Sequence, residues 1–121
     1  MNRPTHFEIT SDDPSSAVEF YSKALGWKIS KWDGPVEYWL VSTGEEGSRG
    51  INGAIVDRTN MQQPVVNTIE VASLDETISS IESCGGAKVA GPMEIPGVGS
   101  HAYCIDPQGT LFGILQPLVI K

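Results

Sequence analysis

The sequence predicts an α+β fold of two tandem βαβββ modules, a mixed sheet curled into a cup or open barrel with the helices outside. Three observations carry this expectation. The run Thr5-His6-Phe7-Glu8-Ile9 is echoed half a chain later by Asn67-Thr68-Ile69-Glu70-Val71. Each run leads into a helix-like segment with a capping residue before it and glycine after it. Each helix is followed by three strand-like runs punctuated by turn residues. The repeat divides the 121 residues into a first module at 5–57, a linker at 58–65 and a second module at 66–117.

Taken in order, residues 6–10 alternate polar and apolar and read as a half-buried strand. Asp13 is a suitable N-cap, and Pro14 suits the first helical position, where its missing N–H has no partner to lose. Ala17, Phe20, Tyr21, Ala24 and Leu25 recur at helical spacing as an apolar face, and Gly26 supplies the left-handed stop. Strands are expected at 27–32, 36–43 and 50–56, with a turn at Asp33-Gly34-Pro35. The polar stretch 57–64, with Asn60, Gln62 and Gln63, joins the modules. A strand at 66–71 opens the second module. Ser73 caps the next helix, and Glu76 three residues later has the spacing of a capping box. Leu74, Ile78 and Ile81 form its buried stripe, and Gly85-Gly86 end it. A short strand at 88–90, a Gly/Pro loop at 91–99, and strands at 100–105 and 110–116 around the turn Asp106-Pro107-Gln108-Gly109 complete the reading.

At this length one domain is expected. Apolar content of 40% and charged content of 19% are ordinary for a globular chain. A net charge of −7, from 8 basic and 15 acidic residues without a basic cluster, disfavours nucleic acid and anionic membrane. The apolar stretch 111–120 is too short to span a bilayer and contains Gly113 and Pro117. Two isolated cysteines, Cys84 and Cys104, read as reduced and structural, with Cys84 packed at its helix end, and the expected location is the cytoplasm. A homodimer is expected, because an open sheet leaves edges that need covering.

Strand alternation sends Phe7 and Ile9 under the first helix and His6 and Glu8 to the other face. By the same rule Ile69 and Val71 go under the second helix, and Thr68 and Glu70 face with His6 and Glu8. The echoed runs thus aim His6, Glu8 and Glu70 at one cavity. Two carboxylates in a partly apolar cavity raise each other's proton affinity, so these three are the candidate catalytic residues. His101, in Gly97-Val98-Gly99-Ser100-His101, sits where a loop could cover a pocket, although a surface histidine is the blander reading. Tyr38 and Trp39 face opposite ways, so only one can line a cavity.

The entry His6-Phe7-Glu8-Ile9, Asp13-Pro14, Phe20-Tyr21, Leu25-Gly26-Trp27, and the closing Asp106-Pro107-Gln108-Gly109 before Leu111-Phe112-Gly113-Ile114 resemble the vicinal-oxygen-chelate superfamily. That superfamily includes glyoxalase I, extradiol dioxygenases, and bleomycin and fosfomycin resistance proteins. The resemblance implies a cup-shaped sheet and, in many members, a divalent metal held by the first and last strands of each module. Transferred position by position, it puts His6 at the first-strand ligand, Thr68 at its mate, Asn52 at the end of the first module, and Gly113 where a glutamate closes the site. His6 is then the sole strong metal ligand, and a divalent metal is disfavoured without being excluded.

The reading favoured is a binding module that holds a small apolar or aromatic molecule. Thr68, Asn52, His101, Tyr103, Leu111 and Gly113 are the expected ligand contacts, with Gly113 opening space for the bound molecule. The alternatives are a metal-dependent glyoxalase-type lyase, isomerase or dioxygenase, and a metal-free acid/base enzyme using His6, Glu8 and Glu70.

Overall fold

Ten elements follow in the order strand, helix, three strands, strand, helix, three strands. The computed structural model describes residues 1–34, 37–58 and 62–118. The expectations for Pro35 and Val36, for Asn60 in the linker, and for the last apolar residues, Val119 and Ile120, lie outside the described residues. Contacts gather into two units. One is His6–Val66; the other comprises the described residues of Asn67–Lys121 together with Met1–Thr5.

The first unit contains most of β1 (Arg3–Ser11), then α1 (Pro14–Leu25), β2 (Lys28–Lys31), β3 (Tyr38–Ser42) and β4 (Asn52–Asp57). Their order is β2-β3-β4-β1, with β1 parallel to β4 and the other pairs antiparallel. The carboxylate of Asp13 accepts the Ser16 N–H at the helix start, Pro14 follows it, and Gly26 ends the helix at φ 72°. Phe7 lies on the helix side of β1. Its ring meets Trp27 at 5.9 Å between centroids, and Trp27 stacks on Tyr21 at 5.0 Å. That stack sets which side of α1 turns inward. Ala17, Val18 and Tyr21 are half-buried, whereas Phe20 and Leu25, expected in the buried face, are 60% and 57% exposed. Phe20 is one residue and about 100° round the helix from Tyr21, and touches it only edge-on. Gly53 pairs with Phe7, and any Cβ there would meet the Phe7 carbonyl oxygen and ring.

The second unit holds β5 (Val65–Glu70, from Asn67 onward), α2 (Leu74–Ser83), β6 (Ala87–Ile95), β7 (Gly99–Ile105) and β8 (Leu111–Pro117). Its order is β5-β8-β7-β6, with β5 parallel to β8. The Ser73 hydroxyl accepts the Glu76 N–H at 3.2 Å. Leu74 packs with Val71, Ala102, Cys104 and Ile114, and Ile69, Ile78, Ile81 and Phe112 close around them. Cys84 is exposed as the C-cap of α2 and not packed, because the helix ends one residue earlier and Gly85 turns the chain at φ 97°. The Asp106 carboxylate accepts the N–H groups of Gln108 and Thr110, which fixes the turn into β8.

The loop expected at 91–99 is largely strand. β6 runs to Ile95, with register shifts between Lys88 and Ala90 and between Ala90 and Met93. Irregular pairing of this kind admits Gly91 and Pro92 to a strand. The pattern was illegible because β6 is exposed along almost its whole length, so its residues do not alternate. Among the described residues no helix is long and apolar enough to cross a membrane.

Candidate functional site

In the first module the register carries one face across four strands. His6 stands opposite Asn52, Glu8 opposite Ala54 and Thr10 opposite Val56. Ala54 and Val56 stand opposite Leu40 and Tyr38, and Leu40 opposite Ser30. Paired residues share a face, so His6, Glu8 and Tyr38 lie on the side away from α1. Trp39 takes the other side, where the Lys31 ammonium sits 5.5 Å from its ring centre.

Tyr38 joins the two residues that the sequence singled out. Its hydroxyl lies 3.1 Å from His6 Nε2 and is also hydrogen-bonded to Glu8. Glu8 is only 4% exposed, so its carboxylate depends on protein donors. Burial, then the charge of Glu8 and the hydrogen bond to it, raise the Tyr38 phenol far above its ordinary value. Burial lowers His6 from its ordinary 6.5. These two states fix the protons. The phenol has one hydrogen, which it donates to Glu8. Nε2 of His6 must then carry its own hydrogen and donate it to the phenol oxygen, which leaves the ring's lone pair on Nδ1. Trp32 packs edge-on against Tyr38 at 6.0 Å.

His6 also lines an open concavity of about 440 Å³, with Lys28, Ile29, Leu40, Ser42 and Asn52 around it. Asn52 is exposed, and its Oδ1 accepts from the Thr43 N–H at 2.9 Å, so the carboxamide oxygen is engaged in holding the strand end. Tyr38, Lys28, Leu40 and Ser42 were absent from the sequence-derived site. The alternation opposing Tyr38 to Trp39 was the available signal; the pairing that chose Tyr38 was not visible.

In the second module Thr68 stands opposite Gly113 and Gly113 opposite Tyr103; Glu70 stands opposite Leu115 and Leu115 opposite His101. Thr68 is buried, and Glu70, His101, Tyr103 and Leu111 are half-buried. Gly113 does not open space for a bound molecule. A Cβ there would lie 2.6 Å from His101 Nε2 and 3.1 Å from Thr68 Oγ1, so the imidazole already fills the volume. His101 is half-buried and lies within the strand expected at 100–105. It belongs to β7, with its ring edge-on to Tyr103 at 4.5 Å.

The echoed runs occupy equivalent registers, His6 against Asn52 and Thr68 against Gly113. The pair in the first module supplies an imidazole and an engaged carboxamide, and the pair in the second a hydroxyl and no side chain at all. Neither pair by itself fits a divalent metal, which needs three or four good donors. Among the described residues no three of His, Cys, Asp and Glu group closely enough to hold an ion.

Residues 3–44 match the family model described as bleomycin resistance protein-like N-terminal. A protein of Mycobacterium tuberculosis that carries the provisional name glyoxylase CFP32 is 28% identical over 112 residues, as is its Mycobacterium bovis counterpart. The match covers 91% of this chain and 42% of the relative, so the chain spans about two fifths of the length of the curated relatives it matches. Among solved structures, a Streptomyces coelicolor methylmalonyl-CoA epimerase variant with bound 2-nitronate-propionyl-CoA superposes at TM-score 0.75, with 14% identity, over 100% of this chain and 98% of that one. The methylmalonyl-CoA epimerase of M. tuberculosis superposes at 0.71, with 16% identity, over 96% and 88%. In fold the chain is similar to these epimerases, and its first third is similar to the bleomycin resistance protein-like family. The order of elements repeats strand, helix and three strands, and Asn52, Thr68 and Gly113 lie on β4, β5 and β8.

Proposed function

We propose that this vicinal-oxygen-chelate protein binds a small, largely apolar or aromatic molecule on the concave face of its first module, without a metal, and that His6 is its polar anchor. The observation that supports this most is the hydrogen-bonded line Glu8–Tyr38–His6 beside the concavity, to which Leu40 brings an apolar side chain on the same face. Apolar walls with a few fixed polar groups are the usual make-up of a small-molecule site. A neutral imidazole whose Nε2–H is held by Tyr38 presents an acceptor nitrogen in one orientation, which lowers the ordering cost of accepting a ligand hydrogen.

The same line favours a second reading, metal-free proton transfer. If Nδ1 takes a proton, the new imidazolium is stabilised through the phenol by the buried Glu8 charge. His6 is neutral at pH 7 and so available as the base.

Tyr38 reports on both readings through Trp32. Tryptophan fluorescence is followed while bleomycin, chosen from the matched family, and methylmalonyl-CoA, chosen from the solved neighbours, are titrated in turn, each with and without added Zn²⁺. Saturable binding that needs no metal and weakens about tenfold or more in His6→Ala supports the site, a loss of about 1.4 kcal/mol. Binding unchanged in that variant removes His6 from it. Exchange of the substrate's C2 hydrogen with deuterium, lost in His6→Gln, separates catalysis from binding alone.

A further inference from the structure

We propose that the carboxylate corner of the superfamily metal site has passed to His101 in this chain, and that Gly113 is the residue that seats the imidazole there. The inference rests on the resemblance to the vicinal-oxygen-chelate superfamily and is independent of the His6–Tyr38–Glu8 line. Thr68 and Gly113 face each other across parallel β5 and β8 as His6 and Asn52 do across β1 and β4. A metal-binding member would extend a carboxylate from the position of Gly113. Here any such side chain would begin 2.6 Å from His101 Nε2. The ring nitrogen therefore lies in the volume that the first carbon of a ligand side chain would occupy.

The imidazole reaches this place from the neighbouring antiparallel strand, β7. Tyr103, opposite Gly113, holds it edge-on from the next position on the same face. The groups gathered at Gly113 are the His101 imidazole and the Thr68 hydroxyl, with the Tyr103 ring against the imidazole. None of them carries negative charge near neutral pH. Glu70 is on the same face but stands beyond Leu115 from His101, so what position 113 itself meets is an imidazole and a hydroxyl, which suit a hydrogen-bonding oxygen of an organic molecule. Gly113 thus determines which kind of group this module presents.

The chain contains only two histidines, so the imidazole nitrogens of His101 and His6 can be followed separately by ¹⁵N NMR. Equimolar Zn²⁺ added to the unaltered protein at pH 7.5 should leave the His101 nitrogens in place; a large shift of Nε2 showing coordination overturns the proposal. Gly113→Ala should move the His101 nitrogens and leave those of His6 where they were; an unmoved His101 overturns it as well. If Gly113→Ala fails to fold, addition of His101→Ala should restore folding, because the clash is with the ring. Failure of that double variant also counts against the proposal.

Discussion

Replacement of Tyr38 by phenylalanine removes a single oxygen from the middle of the Glu8–Tyr38–His6 line. The ring keeps its place against Trp32, so packing is little changed. Glu8 loses the phenol's hydrogen bond while remaining almost wholly buried. A hydrogen bond to a charged group contributes about 1.5–3 kcal/mol, and the desolvated acceptor left behind keeps the loss near the upper part of that range. The His6 N–H loses its acceptor at the same time. A total near 2.5 kcal/mol, set against an unfolding entropy of about 0.25 kcal/mol/K for a chain of this length, lowers the midpoint by roughly 10 °C. Urea unfolding at pH 7, analysed with a common m-value, measures the loss directly. A Tyr38→Phe protein within about 0.5 kcal/mol of the unaltered one at pH 7, beneath the ordinary spread for a neutral surface change, would refute the idea that the phenol supports a buried charge.

Other outcomes follow from the same geometry. Burial holds His6 below 6.5, so between the folded and unfolded values the unfolded chain binds more protons. Stability should therefore fall as pH drops through 6.5 and level off below the folded value; His6→Gln should flatten that part of a urea-midpoint profile measured from pH 7.5 to 5. Gly53→Ala forces a methyl against the Phe7 carbonyl oxygen and ring, and should cost about 3 kcal/mol or more by chemical denaturation. Gly26→Ala has open space, and should cost only the left-handed backbone strain, about 1 kcal/mol. Equal losses in the two variants would contradict the distinction between crowding and conformation. Ser73→Ala removes the acceptor for the Glu76 N–H and should cost about 1 kcal/mol in the same assay.

The order of elements was legible because its causes are local. Asp13, Pro14 and Gly26 bound one helix, Ser73 and Gly85 the other, and period-two alternation separated Phe7 and Ile9 from His6 and Glu8. The resemblance in fold could be read from the same local marks together with the repeat. Three expectations failed where a distant contact decides. The Tyr21–Trp27 stack chose which side of α1 is buried and left Phe20 outside. The pairing of β6 with β7 made strand of a segment whose Gly91 and Pro92 argue for loop. The imidazole of His101 filled the space that the missing side chain of Gly113 promised to a ligand.

What the sequence determined by itself, then, was the succession of elements and the face on which each strand residue lies, since backbone geometry and capping act over a few residues. Tertiary structure decided which facing residues meet. Tyr38 reaches His6 and Glu8 only because β3 pairs with β4 and β4 with β1 in one particular register. A one-residue slip would have presented Trp39 instead, because neighbouring strand residues point to opposite faces.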